Sequence, residues 1–118
     1  MDRCHCRLMA DSLLLRGIEL RYVLTINLAL HGPATIPTLV ETLEYQGFRL
    51  AGRASKAVSD ALRWEVRRDR VRRLRRGLYG PGEMPRSTEQ HINNRVAALR
   101  EEAAARRRDD LFWELLGA

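Results

Sequence analysis

Glycine and proline cut this chain into short pieces, and that punctuation limits the fold more than any other feature. Gly32-Pro33, Gly47, Gly52, Gly77, Pro81-Gly82 and Pro85 are residues that stop a helix or turn a strand. The pieces between them suit short helices and one tight hairpin. At 118 residues the chain has room for a single modest core.

Asp11–Arg16 is expected to open a short helix capped by Asp11 or Ser12, with Gly17 weakening its continuation. Ile18–His31 is read as a helix ending at Gly32-Pro33, with Ile18, Tyr22, Ile26 and Ala29/Leu30 on one stripe. The same segment also alternates like a strand, with Leu24, Ile26, Leu28 and Leu30 at every second position. Its length favours the helix. Thr35 caps a second helix that Ile36 and Pro37 open. Leu39, Val40 and Leu43 form the buried stripe of that helix, and Gly47 closes it at a position needing positive φ. Phe48 and Leu50 then fold back onto the core.

Ser55 is the expected cap of a third helix running to about Arg68. Val58, Ala61, Leu62 and Val66 face inward, and Lys56, Ser59, Arg63 and Arg67 follow i, i+3, i+7, i+11 on the outer face. Val71–Leu74 and Leu78–Gly80 read as two strands joined at Arg75-Arg76-Gly77, with Val71, Leu74 and Tyr79 inward. The three-residue step from Val71 to Leu74 predicts a bend or a bulge. Pro81, Gly82 and Pro85 mark a linker. Ser87-Thr88-Glu89-Gln90 has the form of a capping box, with Ser87 as cap. The helix after it carries Ile92, Val96, Leu99 and Ala103 at heptad-like spacing, and Arg106–Arg108 before Asp109-Asp110 suggests a helix end and a new cap. The expected divisions are a tail and short helix over 1–17, a domain over 18–86 and a helical extension over 87–118.

Charge is concentrated in one of these pieces. Residues 53–76 hold ten Lys/Arg and three acids, a net of +7, while the rest of the chain has 11 basic and 12 acidic side chains, a net of −1. A preference for Arg over Lys reflects a GC-rich genome, since only Lys56 stands against twenty arginines. Codon bias does not explain why acids are scarce in this segment alone. A positive field confined to one stretch points to a polyanion.

The order helix, turn, helix, turn, basic helix, short hairpin is that of a winged helix-turn-helix. GPATIPTLVETLEYQGF followed by SKAVSDALRWEVRRDRVRRLRRGLYGPG resembles the core of small actinobacterial winged-helix proteins. It is also similar to the N-terminal winged-helix domain of abortive-infection antitoxins. The resemblance covers residues 18–86, with VSDALRWEV as the recognition helix and RVRRLRRGLYG as strand, wing and strand. It implies a mostly α fold with a short β-hairpin wing and an appended C-terminal helix. Where such domains often carry glycine before the first wing strand, this chain has Asp69-Arg70.

The expected function is double-stranded DNA binding, as a transcriptional regulator or a nucleoid-associated protein. Arg53, Ser55, Lys56, Ser59, Arg63 and Arg67 would address the major groove, where base edges carry a distinguishable code. Arg72, Arg73, Arg75 and Arg76 would track the phosphates or reach an adjacent minor groove. Arg67, Arg68 and Arg70 also fit a solvated helix end favoured by the helix dipole. Asp60 is expected to pair with a neighbouring arginine, Glu65 to balance Arg68 or the wing, and Trp64 to pack on the hairpin or a partner.

Ile92, Val96, Leu99, Ala103, Leu111, Phe112, Leu115 and Leu116 are expected to form a homodimer seam that pairs two recognition helices on a palindrome. The competing use of that stripe is packing on the chain's own core. The alternative function is an antitoxin-like or other protein-interaction module built on the same helix. No enzymatic constellation is present: there is no phosphate loop, no paired catalytic carboxylates and no Cys–His set of family spacing. Cys4-His5-Cys6 has poor spacing for zinc, so no metal and no cofactor is expected. No apolar run approaches the roughly 18–20 residues of a membrane span, and the N-terminus lacks a secretory pattern. A cytoplasmic location follows as the expectation.

Overall fold

The computed structural model describes residues 12–117. The readings made on Cys4, His5, Cys6 and Asp11 lie outside the described residues. The elements in chain order are β1 (Leu13–Leu15), α1 (Ile18–His31), β2 (Ala34–Thr35), α2 (Ile36–Tyr45), β3 (Phe48–Leu50), α3 (Ala54–Arg67), β4 (Val71–Arg75), β5 (Leu78–Pro81) and α4 (Arg86–Gly117). The architecture is mostly helical, with a small antiparallel hairpin and a long C-terminal helix.

Helix α1 is the centre of the molecule. Leu20, Val23, Leu24, Ile26 and Leu28 are all buried, and so are the polar Thr25 and Asn27. A helix buried on most of its sides carries apolar residues at nearly every position, which is why its sequence also alternates like a strand. Its two buried polar side chains have partners: Thr25 Oγ1 lies 2.9 Å from the Arg21 carbonyl, Asn27 Nδ2 donates to the Val23 carbonyl at 2.9 Å and Gln46 Nε2 donates to Asn27 Oδ1 at 3.0 Å, as buried polar groups require. Helix α2 begins as its sequence implies. Thr35 is the N-cap, its side chain accepting from the Thr38 N–H, and Pro37 sits in the first turn. Gly47 ends the segment at φ 95°.

The segment before α1 is a strand, not the expected helix. Leu13, Leu14 and Leu15 pair in parallel with Phe48, Arg49 and Leu50. Leu13 and Leu15 enter the core while the ladder satisfies their backbone groups. A second sheet has the order β2-β5-β4 and is antiparallel throughout. Its outer strand, Ala34–Thr35, continues straight into α2 and holds the hairpin to the start of that helix.

Helix α4 corrects three expectations. It starts at Arg86, so Ser87 lies inside it and is not its cap; Gln90 donates forward to Asn94 at 2.9 Å instead of reaching back. It runs without a break through Arg106–Arg108 and Asp109. No Gly or Pro interrupts positions 86–116, and thirty-two residues at about 1.5 Å each make a rod of about 48 Å. Its stripe of Ile92, Val96, Leu99 and Ala103 is 1–2 % exposed within the single chain and belongs to the same core as α1 and β1. Those four residues are therefore not available as a seam between chains. Arg95 pairs with Glu19, and Arg107 Nη2 donates to the Tyr45 carbonyl at 2.8 Å.

Candidate nucleic-acid interface

Helix α3 packs on α1, α2 and β4 through Val58, Ala61 and Leu62, all buried. Arg53 is its N-cap residue, with an extended backbone and a carbonyl that accepts from the Ala57 N–H at 3.0 Å. Ser55 is consequently the second helical residue, exposed, and not the cap. Lys56, Arg63 and Arg67 are exposed and Ser59 is half-buried, so all four lie off the core-facing stripe.

The fourth member of the buried stripe is an acid. Glu65 follows Val58, Ala61 and Leu62 at helical spacing, and its side chain is 0 % exposed. Arg70 Nε and Nη2 donate to its two carboxylate oxygens at 2.8 Å each. Thr25 Oγ1 lies 2.7 Å from Oε1, and Arg21 Nε approaches Oε2 to 3.8 Å. Glu65 thus serves neither Arg68 nor the outer wing. It holds α1, the end of α3 and the approach to β4 together, with Arg70 and not the expected Arg68 as its bidentate partner. Arg70's pKa is raised above the ordinary arginine value, first by its hydrogen bond to Glu65 and against the cost of burial.

The chain leaves α3 through a tight reversal. Asp69 takes φ 62°, a region that favours glycine; Asp is among the few other side chains that tolerate it. Gly82 lies against this turn. A Cβ there would overlap the Asp69 carbonyl oxygen and stand 2.9 Å from the Val71 nitrogen. The absence of a side chain lets Gly82 N–H donate to the Arg70 carbonyl at 3.0 Å and Glu83 N–H to the Asp69 carbonyl at 2.9 Å. These bonds close the base of the hairpin.

The hairpin has the predicted bulge. Arg73 opposes Tyr79 and Arg75 opposes Leu78, leaving Leu74 as the extra residue. Leu74 is half exposed rather than inward, because the bulge turns it out over Gly80, where a Cβ would come within 2.9 Å of it. Val71 is buried and Tyr79 half-buried. Gly77 takes φ 78° in the turn. Arg72, Arg73, Arg75 and Arg76 are all exposed.

Two acids of this region, Asp60 and Glu65, are already engaged, while Asp69 is exposed and makes no ion pair with a described residue. Asp60 pairs with Lys56 at 2.9 Å along one helix turn, not with an arginine, and Glu65 is consumed by Arg70. Arg72 comes only within 3.9 Å of Glu83. Among the described residues no carboxylate lies within 4 Å of Arg53, Arg63, Arg67, Arg68, Arg73, Arg75 or Arg76. Trp64 is half exposed, with Arg21 and Arg67 over its ring at 5.5 and 5.6 Å. It packs there with Leu15, Leu20 and Ala61 around a shallow groove of about 390 Å³, away from the hairpin.

Among the described residues no group of three or more His, Cys, Asp or Glu is placed to hold a metal ion, and no helix is long and apolar enough to cross a membrane. No protein-family model matches the chain, and neither a curated protein nor a solved structure does.

Proposed function

We propose that residues 18–86 act as a winged helix-turn-helix that binds double-stranded DNA, in the manner of a transcriptional regulator or a nucleoid-associated protein. In this reading α2 and α3 are the helix-turn-helix pair, α3 enters the major groove and the β4–β5 hairpin is the wing. The observation that carries it is the unneutralised arginine set: Arg53, Arg63 and Arg67 on α3, and Arg73, Arg75 and Arg76 on the hairpin, are exposed and make no ion pair with a described acid. A free-standing array of this kind is repelled by itself and stabilised by a polyanion. Ser55 and Ser59 add hydroxyls near the helix start, where such helices meet base edges most closely. Arg63 offers a planar fork to a guanine edge or a phosphate.

The hairpin arginines contribute affinity more than sequence choice, because phosphate contacts carry no base information. Selection from a random duplex pool by the purified chain tests both parts at once. Recovery of a shared motif supports a regulator, recovery without a motif supports a nucleoid-associated role, and failure to retain duplex at low salt contradicts the reading altogether.

A further inference from the structure

The shallow groove of about 390 Å³ beside Trp64 lies between the start of α1 and one flank of α3, and its volume is that of a small-molecule site. Leu15 and Leu20 are buried behind it, while Ile18 and Trp64, each about half exposed, border it. Arg21 also lines it. Its side chain is only 16 % exposed, and its Nε is buried with no hydrogen-bond partner. Its terminal nitrogens, which donate to no described group, form the exposed end of the guanidinium. The nearest acid is Glu65 at 3.8 Å, and Arg70 already holds both oxygens of that carboxylate. Arg21, Glu65 and Arg70 together therefore leave one positive charge without an acid in a largely buried cluster. Such a charge is costly until an anion meets it.

We propose that this groove binds an aromatic carboxylate, with the carboxylate on the Arg21 guanidinium and the ring against Trp64 and Ile18. Charge selects an anion. Arg16 and Arg21 both line the groove, and its acid, Asp60, is held by Lys56 at 2.9 Å. Gly17, the N-cap of α1, offers no side chain to that helix end, so the positive end of the helix dipole falls in the same place. The anchor selects a carboxylate, because a planar guanidinium fork matches its two oxygens. The wall selects a flat ring. It is apolar and shallow, and Arg21 lies over the Trp64 ring at 5.5 Å, so a planar body joined directly to a carboxylate meets the charge and the wall together. The inference does not rest on DNA binding, and its test contains no DNA.

The test is titration of the full chain with naphthoate, followed by calorimetry and by the NMR signals of the indole N–H groups, with circular dichroism as the folding control. Saturable binding is expected, with the Trp64 signal shifting and the Trp113 signal fixed. Trp113 reports on the other exposed apolar surface, Leu111, Phe112, Leu115 and Leu116 at the end of α4, since its ring lies 5.8 Å from that of Phe112. Uncharged naphthamide should bind the wild type about tenfold more weakly or worse, and naphthoate should bind Arg21→Gln as weakly, the scale of one charge-assisted hydrogen bond. Ala57→Leu, which fills the groove from α3 without altering its charge, should weaken naphthoate by a similar factor. No binding at millimolar naphthoate overturns the proposal. So does equal binding of naphthamide, binding that shifts Trp113 instead of Trp64, or unchanged binding in Arg21→Gln. Should Arg21→Gln lose its helical signal, unchanged binding in Ala57→Leu overturns it instead.

Discussion

Arg70 grips both oxygens of Glu65, five residues before it, at 2.8 Å each, and the carboxylate has no exposed surface. The Arg70 backbone N–H also donates to the Glu65 carbonyl at 3.1 Å. One acid therefore fixes where α3 ends and in which direction the hairpin leaves. Removing one member of a buried, bidentate pair leaves the other charge unpaired. Glu65→Ala is expected to cost about 3–5 kcal/mol in urea denaturation. Because Arg70's pKa is raised, its stabilisation is fully present below the ordinary arginine pKa and is lost only as pH climbs past the raised value. Arg70 should therefore contribute no pH dependence to stability across the neutral range.

Gly82 is required for space. Its missing side chain lets the chain pass against Asp69 and Val71, and overpacking at such a contact typically costs about 1–3 kcal/mol. Gly82→Ala should lower the melting temperature and weaken amide-exchange protection at Gly82 and Glu83, the two donors at the hairpin base.

Leu99 tests the placement of α4 on its own core. It is 2 % exposed in the single chain. Leu99→Ala should cost about 2–5 kcal/mol at a protein concentration low enough for the monomer, which a residue used only between chains would not do.

Local chemistry was the legible part of the sequence. The Thr35 cap, Pro37 in the first turn, the positive φ of Gly47 and Gly77 and the bulge after Val71 all depend on near neighbours, and the structure has each of them. Two local readings failed, the caps at Ser55 and Ser87, each of which lies inside its helix; the other failures were non-local. Leu13–Leu15 becomes a strand only because Phe48–Leu50 lies beside it, and three leucines alone do not choose between helix and strand. The stripe from Ile92 to Ala103 has the same spacing whether it meets another chain or the body of its own. Glu65 did carry a readable signal: it continues the Val58, Ala61, Leu62 stripe, and an acid on a buried stripe calls for a cation such as Arg70.

Acids beside the arginine array should oppose DNA. Asp60 is half-buried and ties up Lys56, and Asp69 is exposed between Arg68 and Arg70. Asp60→Asn and Asp69→Gly are each expected to tighten duplex binding. Stability should change by no more than about 0.5 kcal/mol for the first, a surface pair of little worth. The second should be neutral or stabilising by up to about 1 kcal/mol, since glycine adopts the φ of 62° without strain.

The most direct measurement of the central claim is duplex affinity as a function of salt, by fluorescence anisotropy, for the wild type and for Arg63→Ala/Arg75→Ala/Arg76→Ala. These side chains are exposed and make no ion pair with a described acid, so the variant should keep its fold. The account predicts a steep linear fall of log K with log salt in the wild type, about 0.9 per neutralised phosphate. In the variant, binding should be lost, or any that remains should have a slope shallower by about 2.7, the share of three arginines. Wild-type affinity that is absent at low salt, or a slope and affinity unchanged by the triple substitution, would contradict it.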